Sequence, residues 1–264
     1  MKNPTLRAEL LELMTDSAFK RLLPEVFHEA NEIRFEISRL HPEWLRAQPD
    51  LNSYQYFLQD WNRLKGGFWD RVKENSDEEI AALQTLGDNE QLSQARQESK
   101  SRRGAARQAS WDFNSFSLNN VPGVDGVEEW RFAGFKTTTI ALLQQRGPWI
   151  DWLGTHIDIT RMLMSQKAWK NFFLHEIELD NVPRMWIRWA FETLQSMRKV
   201  TDGAPCDTQL ATYLLDCDQL ITSDRAFAEI SWKCDDYHNW DTGKVILVRA
   251  GASALEELDS LLDM

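Results

Sequence analysis

Hydrophobic and polar positions alternate along this chain with two different periods. Over residues 4–18, Leu6, Leu10, Leu13 and Met14 recur at helical spacing, and Pro4 suits a first turn. The apolar run Phe19 to Leu23, stopped by Pro24, has the length of a buried strand. From Glu25 to Arg39 the period is helical again, with Val26, Ile33 and Ile37 on one face. Residues 44–86 read as amphipathic helix anchored by Trp44, Tyr54, Phe57, Trp61 and Trp69, with a break at Gly66-Gly67.

Residues 88–110 are polar and basic and predict an exposed helix or a loop. Asn, Gly and Pro make 111–126 a loop, and 128–200 holds further helices, clearest at 149–173 and 184–197, the second opened by Pro183. A loop at 201–205 leads to a helix from Asp207 to Leu215. Gln219 to Thr222 follows as a short buried strand, then a helix at 224–230 and the strongest strand, 244–249. A helix over 252–262 closes the chain, and no internal repeat is present. Strands at the two ends around a helical centre predict the α/β class: a small parallel-sheet core, contributed by 1–40 and 201–264, with a large helical insertion over 41–200. Two separate domains are the alternative.

Composition changes this picture at three points. Twelve Trp in 264 residues require that many indoles sit in cores. A net charge of −11 argues against a surface that wraps nucleic acid all round, though not against a local basic patch beside an acidic site. Three cysteines, Cys206, Cys217 and Cys234, include no close pair, and no signal peptide or membrane-length apolar run stands out, which predicts a reducing, cytoplasmic setting without membrane contact. Cys206, Cys217, Cys234 and His238 lack zinc-site spacing and read as ordinary thiols and a histidine.

Candidate chemistry gathers in Asp207-Thr-Gln-Leu-Ala-Thr-Tyr-Leu-Leu-Asp-Cys-Asp-Gln-Leu-Ile-Thr-Ser-Asp224. A carboxylate opens a helix, where the helix dipole favours an anion. The helix leads to an apolar strand that ends in Thr222-Ser223-Asp224, and a second helix starts there. Asp207 and Asp224 can then share one rim of a parallel sheet, at the carboxyl ends of its strands, where α/β proteins collect ligands and metals. The plainer reading is that both are helix caps.

This segment resembles the C-terminal signature of PIN domains, metal-dependent nucleases of the α/β class. Asp207 matches the family's helix-opening acid, Thr222-Ser223-Asp224 its Thr/Ser-x-Asp motif, Phe227 the usual aromatic after it, and 244–249 the last strand. A weaker likeness lies in Leu23-Pro24-Glu25-Val26-Phe27-His28-Glu29, which makes Glu29 the third acid, with Glu32 second to it; a solvated helix-face glutamate is the alternative. The family's first strand and its terminal Asp have no counterpart ahead of the first helix.

The resemblance implies a ribonuclease, weak or inactive for want of the family's first acid, in which Asp207, Asp224 and Glu29 converge to bind Mg²⁺ or Mn²⁺, with Thr222 supporting. Such ions prefer oxygen ligands, activate water and offset charge on a phosphate. The implied substrate is single-stranded RNA. Two basic clusters could contact it: Arg102 and Arg103, with Lys100 and Arg107, and Arg184 and Arg188, with Arg198 and Lys199, interleaved with Trp186 and Trp189. Solvated faces, and a core role for the two tryptophans, are the competing assignments. The family also includes toxins neutralised by a partner protein. A non-catalytic relative that binds RNA or a protein is therefore the second functional expectation, and a helical interaction protein the third.

Overall fold

The structure is a computed structural model that describes residues 25–64, 112–121, 124–144, 148–198 and 204–248, with Gln97, Lys100, Ser101 and Gly104 as isolated helical positions. The expected elements at 4–18, 19–23 and 252–262 lie outside the described residues, as do 65–86 and Arg102, Arg103 and Arg107.

Contacts divide the chain into two compact units, one of 1–94 with 134–182 and the other of 95–133 with 183–264. The boundaries differ from an insertion over 41–200. The helix expected to belong to the small core packs instead with helices of the centre, and 183–196 packs with the C-terminal third. The described chain is mostly helical with a two-stranded parallel sheet, compatible with the α/β class.

In the first unit, α1 (Glu25–Leu40) leads through a 3-10 turn, Pro42–Trp44, into extended chain and then α2 (Leu51–Leu64). The expected continuous helix from residue 44 is therefore interrupted. Its backbone groups are spent elsewhere: Leu45 pairs with Ile157 in an antiparallel bridge, Arg46 N–H donates to His156 O at 2.9 Å, and Asp158 N–H to Trp44 O at 2.8 Å. Helix α2 starts where Asp50 accepts from the Ser53 N–H at 3.0 Å, an N-cap bond. The same pairing breaks the run expected as helix over 149–173.

Two further helices precede that break. The first, α3 (Gly126–Gln144), is divided between the units at residue 134; the second, α4 (Pro148–Gly154), packs on α1. Helices α5 (Ile159–Met164) and α6 (Gln166–Asn171) follow, and a π turn, Phe172–Glu176, ends α6. Trp44, Trp169, Phe172 and Phe173 form an aromatic cluster at the heart of this unit. Glu36 is buried there without strain. Burial would raise its carboxyl, but bonds from Arg39, the Glu178 N–H and Asn181 outweigh that and hold it below its ordinary range.

In the second unit, the region expected as loop contains a hairpin, β1 (Asn120–Val121) against β2 (Val124–Asp125). Gly126 is required after it, because a Cβ there would stand 1.8 Å from Leu118 O. Helix α7 (Pro183–Ser196) is the platform of this unit, with Phe191, Leu194 and Ala190 fully buried. Helix α8 (Ala204–Thr212) and α9 (Arg225–Asp235) pack on it. Strand β3 (Gln219–Thr222) pairs in parallel with β4 (Lys244–Leu247), in the register Gln219 to Lys244 through Thr222 to Leu247, and α9 is the crossover between them. Both strands are short and, against the buried strand expected at 219–222, only half covered: Gln219 and Lys244 are exposed and Val245 is the one buried residue of the pair.

Candidate active site

The carboxyl end of β3 organises the acidic residues. The pairing continues one step past the strand, with Val248 N–H donating to Thr222 O at 2.9 Å. The chain then turns. Thr222 Oγ1 accepts from the Asp224 N–H at 3.0 Å, so Thr222 supports the backbone of Asp224. Asp224 Oδ1 in turn accepts from Ala226 N–H at 2.7 Å and Phe227 N–H at 3.0 Å, and so caps α9. Phe227, 4% exposed, packs on Phe191 of α7 at 5.1 Å between centroids, which pins the start of α9 to the platform.

Asp207 comes to the same place by another route. Helix α8 begins at Ala204, three residues before the expected start, so Asp207 stands in its first turn and not at its cap. The electrostatic argument survives, because the dipole's positive end acts over the whole first turn. The neighbouring Thr208 is buried and donates to Gln195 Oε1 on α7 at 3.1 Å, holding α8 down. Burial and then the charge of Asp224 push the Asp207 carboxyl up to about 6. Asp224 thus caps α9, as the plainer reading has it, and its charge adds to the effect of burial on Asp207.

The other sequence candidates have the following surroundings. Glu29 is buried on α1 in the first unit. Among the described residues, no three His, Cys, Asp or Glu side chains are grouped to hold a metal ion. Arg184, expected as a substrate contact, is buried in the second unit and donates to Asp216 Oδ1 at 2.5 Å. Its charge is used internally because α7 turns that face to the α8–β3 connection. Arg188 on the same helix is only partly exposed. Trp186 and Trp189 are core: Trp186 packs edge-on against His238 and Trp240, and Trp189 Nε1 donates to Glu129. Cys234 is a buried thiol, raised far above its ordinary range by burial.

Two carboxylates suffice for one kind of cation. Mg²⁺ is commonly held by one or two carboxylates, with waters and substrate phosphates completing its shell. Asp207, raised by burial and then by a neighbouring acid, and Asp224, fixed by two N–H groups, are the residues that could hold that ion or Mn²⁺. Sequence reasoning missed Asp216, whose pairing with Arg184 has no local pattern. It also missed Phe113, Arg225 and Trp232, which line a cleft of about 810 Å³ along α9. The signal for that cleft was present in the spacing of Arg225, Glu229, Trp232 and Lys233, one helical face.

No family model, curated protein or solved structure matches this chain. No described helix is long and apolar enough to cross a membrane.

Proposed function

We propose that this chain is a metal-dependent endoribonuclease of PIN type, hydrolysing phosphodiester bonds in single-stranded RNA. The observation that carries the reading is the Asp207–Asp224 pair at the carboxyl end of a parallel strand pair, with the charge of one acid felt by the other. Isolated like charges of this kind are unfavourable unless a cation or a proton offsets them. Bound Mg²⁺ or Mn²⁺ would supply water activation and charge neutralisation at the phosphate.

The residues divide the work by their surroundings. Asp224, fixed by two backbone N–H groups, is the rigid ligand. Asp207, raised to about 6 by burial and then by the charge of Asp224, would be the second carboxylate to hold the cation. Thr222 sets the backbone of Asp224 and so acts as a positioning residue. Glu29 is the candidate third acid of the family pattern.

The test is cleavage of a labelled single-stranded RNA, with and without chelator. The expected result is chelator-sensitive cleavage, lowered by about 10²–10³ in Asp207→Asn and in Asp224→Asn. Asn is a good N-cap, so the second variant keeps α9. Unchanged cleavage in either folded variant rejects the site. A wild-type chain that binds RNA and leaves it intact is the non-catalytic relative instead.

A further inference from the structure

One face of α9 carries a mixed charged and aromatic surface. Arg225, Glu229, Trp232 and Lys233 project from it at spacings of four, three and one, and Asp224 caps the same helix. Beside them stand Phe113 and Arg198, and together they line the cleft of about 810 Å³.

Three features separate this cleft from an ordinary charged helix face. First, Trp232 is 44% exposed although its indole N–H donates to Val245 O at 3.0 Å. The ring is held by its edge while much of its surface stays open to solvent. Second, the Arg198 guanidinium lies 3.8 Å over the Phe113 ring, and Lys233 Nζ lies 5.0 Å from the same ring. Lys233 also donates to the carbonyls of Phe113 and Asn114, at 2.5 and 3.1 Å, which fixes that loop against α9. Third, one carboxylate holds two guanidiniums: Glu229 accepts from Arg198 and, at 2.7 Å, from Arg225. Asp236 is the other acid of the cleft, so three cations face two carboxylates.

We propose that this cleft binds the strand flanking the cleaved phosphate of a single-stranded RNA. A base stacks on Trp232, and a backbone phosphate takes Arg225 and Arg198 from Glu229. A preformed pair of guanidiniums suits a phosphate, since its oxygens accept the same fork of donors as a carboxylate. Stacking on an indole is tolerant of sequence, and aromatic rings interleaved with cations are the usual construction for single strands. The helix rises about 1.5 Å per residue, so the face from Arg225 to Asp236 is about 16 Å long, room for a short run of nucleotides. The inference rests on the nuclease reading for its substrate class, while its geometry is independent of catalysis.

Binding of a short fluorescein-labelled oligouridylate, followed by anisotropy in chelator, tests it. Trp232→Ala should weaken binding about tenfold or more, and Trp232→Phe less, because a smaller ring still stacks. Arg225→Ala, at a side chain 81% exposed, should keep the fold and lower the slope of log affinity against log salt by about 0.7, the loss of one phosphate contact. Glu229→Gln should tighten binding, by releasing both guanidiniums; a purely structural Glu229 predicts no gain. Wild-type chain that fails to bind, or variants that bind as wild type does, overturn the proposal. The same variant pattern with an acidic peptide and no oligonucleotide binding also overturns it, and makes the cleft a protein-docking site. Since binding is read without cleavage, a correct cleft on an inert enzyme and a misassigned cleft on an active one give different results.

Discussion

Asp224 caps helix α9 with the same carboxylate whose charge helps raise Asp207 in the first turn of α8. The two acids are brought together because both helices are anchored on α7, through Phe227 to Phe191 and through Thr208 to Gln195. One consequence is a pH dependence of stability. The Asp207 carboxyl is near 6 in the folded chain, through burial first and Asp224 second, against an ordinary 3.8. Below the lower value both states are protonated and the residue costs nothing. As pH rises between the two, the unfolded chain releases its proton first, so stability falls, and above about 6 the whole penalty is present. At about 1.4 kcal/mol per unit, with allowance for partial exposure, it is of order 2 kcal/mol. Thermal unfolding at pH 3 and pH 7.5 should show Asp207→Asn close to wild type at the lower pH and more stable at the higher. Equal stability at both would mean that the Asp207 carboxyl is not raised in the folded chain.

Arg184 separates a substrate contact from a structural ion pair. Its side chain is buried against Asp216, and removing one member of such a pair strands the other charge. Arg184→Ala should cost about 3 kcal/mol in denaturant unfolding. In the fraction that remains folded, oligonucleotide affinity should match wild type. A stable variant with weakened RNA binding would restore the substrate role expected from the sequence.

Gly243 precedes β4, and its N–H donates to Leu214 O at 2.6 Å. A Cβ here would stand 2.5 Å from Cys217 O and 2.7 Å from Cys217 Sγ. Backbone cannot yield as a flexible side chain can, so Gly243→Ala should destabilise by about 1–3 kcal/mol. Because β4 sets the position of β3, and β3 leads to Asp224, the variant should also lose cleavage more steeply than stability. An alanine variant of wild-type stability would show that the two strands can part locally without consequence.

The sequence by itself determined the elements whose signals are local. Gln219–Thr222 is a strand because Leu220, Ile221 and the β-branched Thr222 lie between polar turns, and its bounds agree with expectation. Pro183 fixes the start of α7, and Asp224 the start of α9, because a missing N–H and a capping carboxylate act within one turn. Tertiary structure alone decided the rest. Leu45 to Asp50 and Thr155 to Asp158 carry helical patterns on either side, yet their backbone groups pair with each other across the first unit, a choice that no window of sequence contains. The same holds for charge. Arg184 and Arg225 are alike as residues in a sequence; packing buries one against Asp216 and leaves the other at the mouth of a cleft. A side chain's type is local information, but whether its charge meets an internal partner or solvent depends on chain segments that are distant in sequence.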